Sequence, residues 1–265
     1  DVYKRQEYNN KNTIFVAMKL FENLGRYVLL MTKVFQKPIK FKYFWKLIIR
    51  EVMDLGMSSL GIVTFISTFM GAVVAIQMAQ NFRGSEIPVP DAYIGYATKV
   101  VLVLEFSPTI VSLILAGKVG SYIASSIGTM RVTEQIDALD VMGINSPNFL
   151  ILPKIIACVF FFPFLIAISI GFGILGGHLI GVFTKMWAPV DFVQGLQMGM
   201  ALKFYIYTFF KTMVFAFVIA TVPAYYGYYV SGGSLEVGRS STTAVVWTSI
   251  CIIILNLLLT QTILS

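Results

Sequence analysis

A single histidine, two cysteines and a charged fraction of only 12% leave this chain short of the side chains that most aqueous chemistry needs. With His178 alone, no second nucleophile–histidine–acid constellation can be assembled, and no metal-ligand set arises by local spacing. His178 reads as a packing residue near the outer end of an apolar run. Cys158 and Cys251 also sit in apolar runs, read as packing residues, and carry no information about redox compartment. No GxxxxGK[ST] run is present, so this chain does not hold ATP through a P-loop. Gly171 to Gly176 matches GxGxxG, but no strand–helix–strand pattern surrounds it, and the dinucleotide reading fails. Gly173, Gly177 and Gly181 are spaced by four instead. They form a small-residue strip that lets another helix approach closely, within the chain or between two copies.

What is abundant is apolar. Hydrophobic residues make up 57% of the 265, and the charged share is about half that of a soluble protein. Length alone allows one or two soluble domains; this composition is that of an integral membrane protein. The net charge of +7 is not spread evenly, since eleven of the twenty Lys and Arg lie between Lys4 and Arg50, ahead of the first long apolar run. That is the pattern of a basic flank on an anionic inner leaflet rather than a nucleic-acid surface, for which the chain offers no aqueous platform.

Hydropathy predicts an all-α membrane protein in one domain over 12–265, and 1–11 is expected to be disordered or non-native. The run 12–35 carries Ile14, Met18, Phe21, Leu24, Val28 and Met31 on one broad face and predicts an interfacial helix, ended by Pro38. Five spans follow, at about 59–80, 93–116, 155–183, 204–230 and 244–264. Asn81–Asp91 and Ser231–Thr243 read as loops from their Gly, Pro and Ser content. Placing the N-terminus inside puts fifteen of the twenty Lys and Arg on the cytoplasmic side, so the chain is predicted N-in and C-out.

The one long polar interruption in the second half is Ala116–Gly143. Within it, Thr133–Met142 predicts a short amphipathic helix, with Ile136, Leu139 and Met142 on one side and Glu134, Asp137 and Asp140 on another. Thr133 suits the N-cap and Gly143 the C-terminal turn. Too short to span a bilayer, it reads either as a solvated loop helix or as a docking helix for a soluble partner. Inside the second span, Glu105 stands in Val101–Pro108, where a carboxylate costs at least ~2.5 kcal/mol at a helix centre. Such a group lines a cavity or pairs with a cation, Lys99 or Lys211 being available. Pro108 adds a kink, because it cannot donate to the carbonyl of Leu104. Gln77 is a second polar residue in an apolar span, suited to an interhelical hydrogen bond.

The run Gly128–Leu139 followed by Met142-Gly143 resembles the signature of MlaE/YrbE-type permeases, the membrane subunits of ABC transporters that work with MCE-domain proteins. Glu236-Val237-Gly238-Arg239, followed by Thr242–Val245, is similar to that family's late motif. The resemblance covers roughly Asn12 to the end, and Asp1–Gln6 match nothing in it. It implies a permease moving phospholipid or a related lipid in the bacterial inner membrane, built as a homodimer. It further implies cytoplasmic ATPase subunits holding ATP and magnesium, with no cofactor in this chain, and a periplasmic MCE partner. Glu105, Gln77 and Pro108 would border the lipid path. Arg131, Thr133, Glu134, Gln135, Asp137 and Asp140 would couple to the ATPase, with Glu236, Gly238 and Arg239 forming a second cytoplasmic motif. The competing reading is an ion-coupled carrier or membrane scaffold without an ATPase, with Glu105 as its proton or ion site. A membrane-embedded enzyme would need clustered His, Asp or Cys at one depth, which the sequence lacks.

Overall fold

The computed structural model describes residues 21–36, 41–84 and 89–264. Of the expected features, 1–11, residues 12–20 of the interfacial helix, Pro38 and Pro88 lie outside that set. The described residues are helices joined by short turns: α1 (21–34), α2 (Phe41–Glu51), α3 (Leu60–Arg83), α4 (Ala92–Val101), α5 (Val111–Leu115), α6 (Ser121–Val132), α7 (Gln135–Val141), α8 (Ser146–Thr184), α9 (Pro189–Gln197), α10 (Leu202–Tyr228) and α11 (Ser234–Leu264). Several join end to end without leaving helical geometry. Five runs are long and apolar enough to cross a membrane: Phe44–Arg83, Ala92–Val132, Ser146–Thr184, Leu202–Tyr228 and Ser234–Thr262.

The five spans stand where hydropathy put them, but their ends do not. The second run is 41 residues, about 60 Å at 1.5 Å per residue, against a hydrocarbon core of about 30 Å. Ala116–Val132, the first part of the expected polar interruption, is therefore helix projecting beyond the apolar layer. Likewise α11 begins at Ser234, so Glu236 and Arg239 sit in its first turns and not in a loop. Pro153 lies inside α8, while Pro147 is in its first turn, where its missing N–H costs nothing. The segment between spans three and four contains α9, which the sequence reading did not anticipate. It opens on Pro189 and packs against α4.

Small residues set the closest approaches. α3 runs along α8, and a Cβ on Gly71 would run into the carbonyl of Gly173, one on Gly176 into that of Thr68. Ser67 and Ser169 share a 2.7 Å hydrogen bond across the same seam. α4 and α9 meet through Gly95 and Gly195, each against the other's backbone. At the opposite end of the bundle, α6 lies in the angle between α10 and α11, with Gly227 against Ala124 and Gly128 against Val237. The buried core runs through α5, α6, α8 and α10, with Leu115, Ile123, Ile151, Phe162 and Phe215 at its centre.

Candidate functional site

The second span changes pitch where the sequence gives it a proline. Leu102–Ile110 is wound as wide, π-type turns around Pro108, which has no N–H to offer the turn before it. Two carbonyls of this stretch accept from side chains of α10. Thr208 Oγ1 donates to Val103 O at 2.9 Å, and Lys211 Nζ donates to Leu104 O at 3.0 Å. The same ammonium lies 2.9 Å from Glu105 Oε2. Lys211 is completely buried, whereas Glu105 keeps 37% of its side chain accessible. Its other oxygen accepts from Thr260 on α11 at 3.0 Å, and Thr260 is bonded in turn to the hydroxyl of Tyr207. One turn further on, Thr109 donates to Asn256 Oδ1 at 3.0 Å.

Three spans thus meet in a polar cluster inside an apolar bundle, as intramembrane charge requires. Of the two cations available to Glu105, Lys211 takes the pairing. Lys99 instead donates to the carbonyls of Leu196 and Met198 at the end of α9. Beside Glu105, Leu104 forms part of a cavity of 380 Å³ with Phe82, Tyr93, Tyr96, Met200 and Phe204. Gln77 is not part of this cluster. It is exposed on α3, on the stripe that also exposes Phe69 and Val73. Tyr207, Thr208, Asn256 and Thr260 were not singled out from the sequence. The available signal was their four-residue spacing: Tyr207 with Lys211, and Asn256 with Thr260, on single helix faces.

The second assembly is at the far end of the same helical run. Thr133 closes α6 rather than opening α7: its hydroxyl donates back to Thr129 O at 2.8 Å. The N-cap is Glu134, in the left-handed region at φ 59°, with no side-chain capping bond. The expected Thr133 cap fails because the chain reverses one residue later, leaving that hydroxyl facing the turn it has just left. α7 buries Ile136, half-buries Leu139, and exposes Glu134, Gln135, Asp137 and Asp140. Asp137 pairs with Arg131 at 2.7 Å. Gly143, at φ 73°, ends the helix, with its N–H bonded to Asp140 O and that of Ile144 to Leu139 O. Val141 and Met142 project at the tip, 89% and 65% exposed, whereas Ile136 on the same expected side is buried.

The late motif lies at this same end. Val237 of α11 packs on Gly128 of α6, one turn before Arg131, while Glu236 and Arg239 pair at 3.0 Å near the surface. Gly238 has open space around it. The two sequence motifs, far apart in the chain, therefore meet at one end of the bundle through the Gly128–Val237 contact.

The glycine strip faces inward. Gly173 meets Leu102 and the Ser67 carbonyl, Gly177 meets Ala75 and Phe192, and Gly181 meets the indole of Trp187. His178 lies near the last of these, its ring 6.1 Å from that of Phe192. Cys158 is buried and Cys251 half-buried, both as free thiols. Among the described residues no three His, Cys, Asp or Glu side chains gather closely enough to hold a metal ion.

Residues 48–262 match the family model described as Permease MlaE. A probable ABC transporter permease protein of Rickettsia bellii is 35% identical over 260 residues, covering 92% of this chain and 93% of its own length. A probable ABC transporter permease of Synechocystis is 33% identical over 213 residues, or 80% of this chain and 79% of its own. The chloroplastic protein trigalactosyldiacylglycerol 1 of Arabidopsis thaliana is 29% identical over 238 residues, 86% of this chain and 65% of its own.

Proposed function

The chain belongs to the MlaE permease family, and from that premise we propose that it is the membrane subunit of an ABC transporter whose cargo is phospholipid or a related lipid. It is a multi-pass transporter subunit and not itself an ATPase. ATP and magnesium belong to a separate cytoplasmic subunit that docks on α7, with the N-terminus on that same side of a bacterial inner membrane. A second copy of the chain completes the translocation path, and an MCE-domain protein receives or supplies lipid on the other side.

The observation that carries this reading is the unbroken helical run Ala92–Val132. It holds Glu105 in the apolar layer and leads to α7 well outside it, so a movement of α7 can reach the Glu105 cluster along one continuous run, whose wide turns at Leu102–Ile110 lie at the cluster itself. The tip of α7 combines exposed carboxylates with exposed Val141 and Met142, the chemistry of a small helix seated in a groove of a soluble partner. The aromatic cavity beside Leu104 suits acyl chains, and the partly accessible Glu105 carboxylate suits the cationic group of a headgroup. The galactolipid in the name of the Arabidopsis relative supports a lipid cargo. Coupling of this kind requires only that nucleotide-bound and nucleotide-free partners favour different positions of α7.

The test is purification from native membranes with mass spectrometry of the proteins and lipids that come along. A co-purifying subunit carrying a P-loop, together with bound phospholipid, is expected. A chain that arrives alone, with ion-gradient-driven transport, would contradict the proposal.

A further inference from the structure

α7 is an excursion between two longer helices, entered from α6 and left through α8. One side chain of a third helix reaches both limbs. Tyr228, the last residue of α10, shares a 3.0 Å hydrogen bond through its hydroxyl with Ser146, which begins α8. The guanidinium of Arg131, in the last turn of α6, lies over the Tyr228 ring, 6.0 Å from its centre. Arg131 also pairs with Asp137 of α7 itself at 2.7 Å. Asp137, Arg131, Tyr228 and Ser146 therefore form one chain of contacts that crosses from the entry of the excursion to its exit. Ser146 has no exposed surface, and a buried hydroxyl that loses its partner is costly.

The backbones beneath fix this meeting. A Cβ on Gly227 would run into the carbonyl of Ala124, and Gly120 stands against the ring of Pro223, so α10 and α6 touch directly up to Tyr228. Ser240 of α11 donates to Tyr226 O at 2.8 Å and holds the same end of α10. Tyrosine suits the position because its ring offers a face to the guanidinium and its tip a hydroxyl to the serine. Phenylalanine would supply the face alone. Lys211, the partner of Glu105, stands on the same helix about 25 Å away at 1.5 Å per residue.

We propose that Tyr228 is the positioning residue that ties α7 to α10, so that a movement of α7 reaches Lys211 along α10 as well as Glu105 along the second span. The two routes end on the two members of one ion pair. This inference rests on the reading of α7 as the docking helix of an ATPase subunit, and it adds the connection by which that docking acts on the polar cluster.

The permease with its co-purifying subunits, in proteoliposomes, is assayed for ATP hydrolysis and for transfer of nitrobenzoxadiazole-labelled phosphatidylglycerol. Tyr228→Phe keeps the ring and its packing and drops the hydroxyl. It is expected to retain the ATPase subunit and its hydrolysis rate, while the lipid moved per ATP falls about threefold, the weight of one neutral hydrogen bond. Ser146→Ala should give the same loss, and the double variant no more than either single, because all three break one bond. Tyr228→Leu also takes the ring face from Arg131 and should lower the ratio about tenfold. A tyrosine that only packs is indifferent to Phe, so an unchanged ratio in Tyr228→Phe would overturn the proposal. Additive losses in the double variant would overturn it as well. If Tyr228→Leu fails to fold, the Phe and Ala variants still decide. A wild-type chain that retains no ATPase subunit would remove the reading of α7 and this proposal together, an outcome distinct from a retained ATPase with unaltered coupling.

Discussion

Lys211 is buried without any exposed surface, yet its ammonium meets both Glu105 and the Leu104 carbonyl. One turn away on α10, Thr208 meets the Val103 carbonyl that Pro108 leaves without a donor in these wide turns, so α10 answers both the charge in an apolar layer and the break in hydrogen bonding.

Removing that cation should leave Glu105 without its partner. Lys211→Met is expected to destabilise the protein by about 3 kcal/mol, the low end for a broken buried pair because Glu105 is partly accessible. Lys211→Met combined with Glu105→Gln should recover part of the loss, because no unpaired charge then remains. Thermal unfolding of the purified permease in lipid discs checks both. A single variant as stable as the wild type would show that the pair carries no structural weight.

The seam between α3 and α8 makes a sharper stability prediction. Gly71→Ala and Gly176→Ala place a methyl against a facing backbone carbonyl, which cannot rotate away. Each is expected to cost about 1–3 kcal/mol or more. Gly61→Ala, with nothing near its Cβ, should be neutral or slightly stabilising. The same unfolding assay separates them.

Charge at α7 should govern partner binding without touching the spans. Asp140→Lys, at an exposed position with no ion pair, is expected to weaken ATPase retention about tenfold, or about 1.4 kcal/mol. Asp137→Lys should do more, because it also places like charge beside Arg131. Exchanging the two, Arg131→Asp with Asp137→Lys, restores the intrachain pair but not the partner's view of it. Retention measured by co-purification should stay low in the exchange variant.

The turn that ends α7 is sensitive to side chains at one position. Gly143→Ala forces a Cβ into the left-handed region and is expected to cost about 1 kcal/mol, loosening α7. Hydrogen exchange of the Ile144 and Gly143 amides should rise accordingly. Unchanged protection would count against this turn.

The five spans and their order were legible because an uncharged window of span length in a bilayer protein has few alternatives. Their ends were not. Gly120 and Gly128 fell in the polar interruption after the second span, yet they lie in a helical run that continues past that span's expected end, as contact points for Pro223 and Val237. A small residue gives the same signal in a turn and at a helix crossing. α9 went unseen because nine residues that include a glycine near their end hold too little periodicity to register. The acidic face of α7 was legible, but its cap was not. A threonine before a helix can bond forward to α7 or backward to α6, and only the path of the chain decides. Glu105 announced itself as a charge in an apolar run, while Thr260 did not, since a lone threonine is at home in a membrane helix. The partner of Glu105 could be narrowed to two lysines by composition, and only the packing of α10 on the second span distinguishes them.

The central claim is that α7 meets a nucleotide-hydrolysing subunit on the cytoplasmic side. It is tested most directly by cysteine accessibility at its tip. Val141→Cys should react with a membrane-impermeant maleimide only after the membrane is opened, and should be protected while the ATPase subunit is bound. Labelling in intact cells, or labelling unaffected by removing that subunit, would contradict the account.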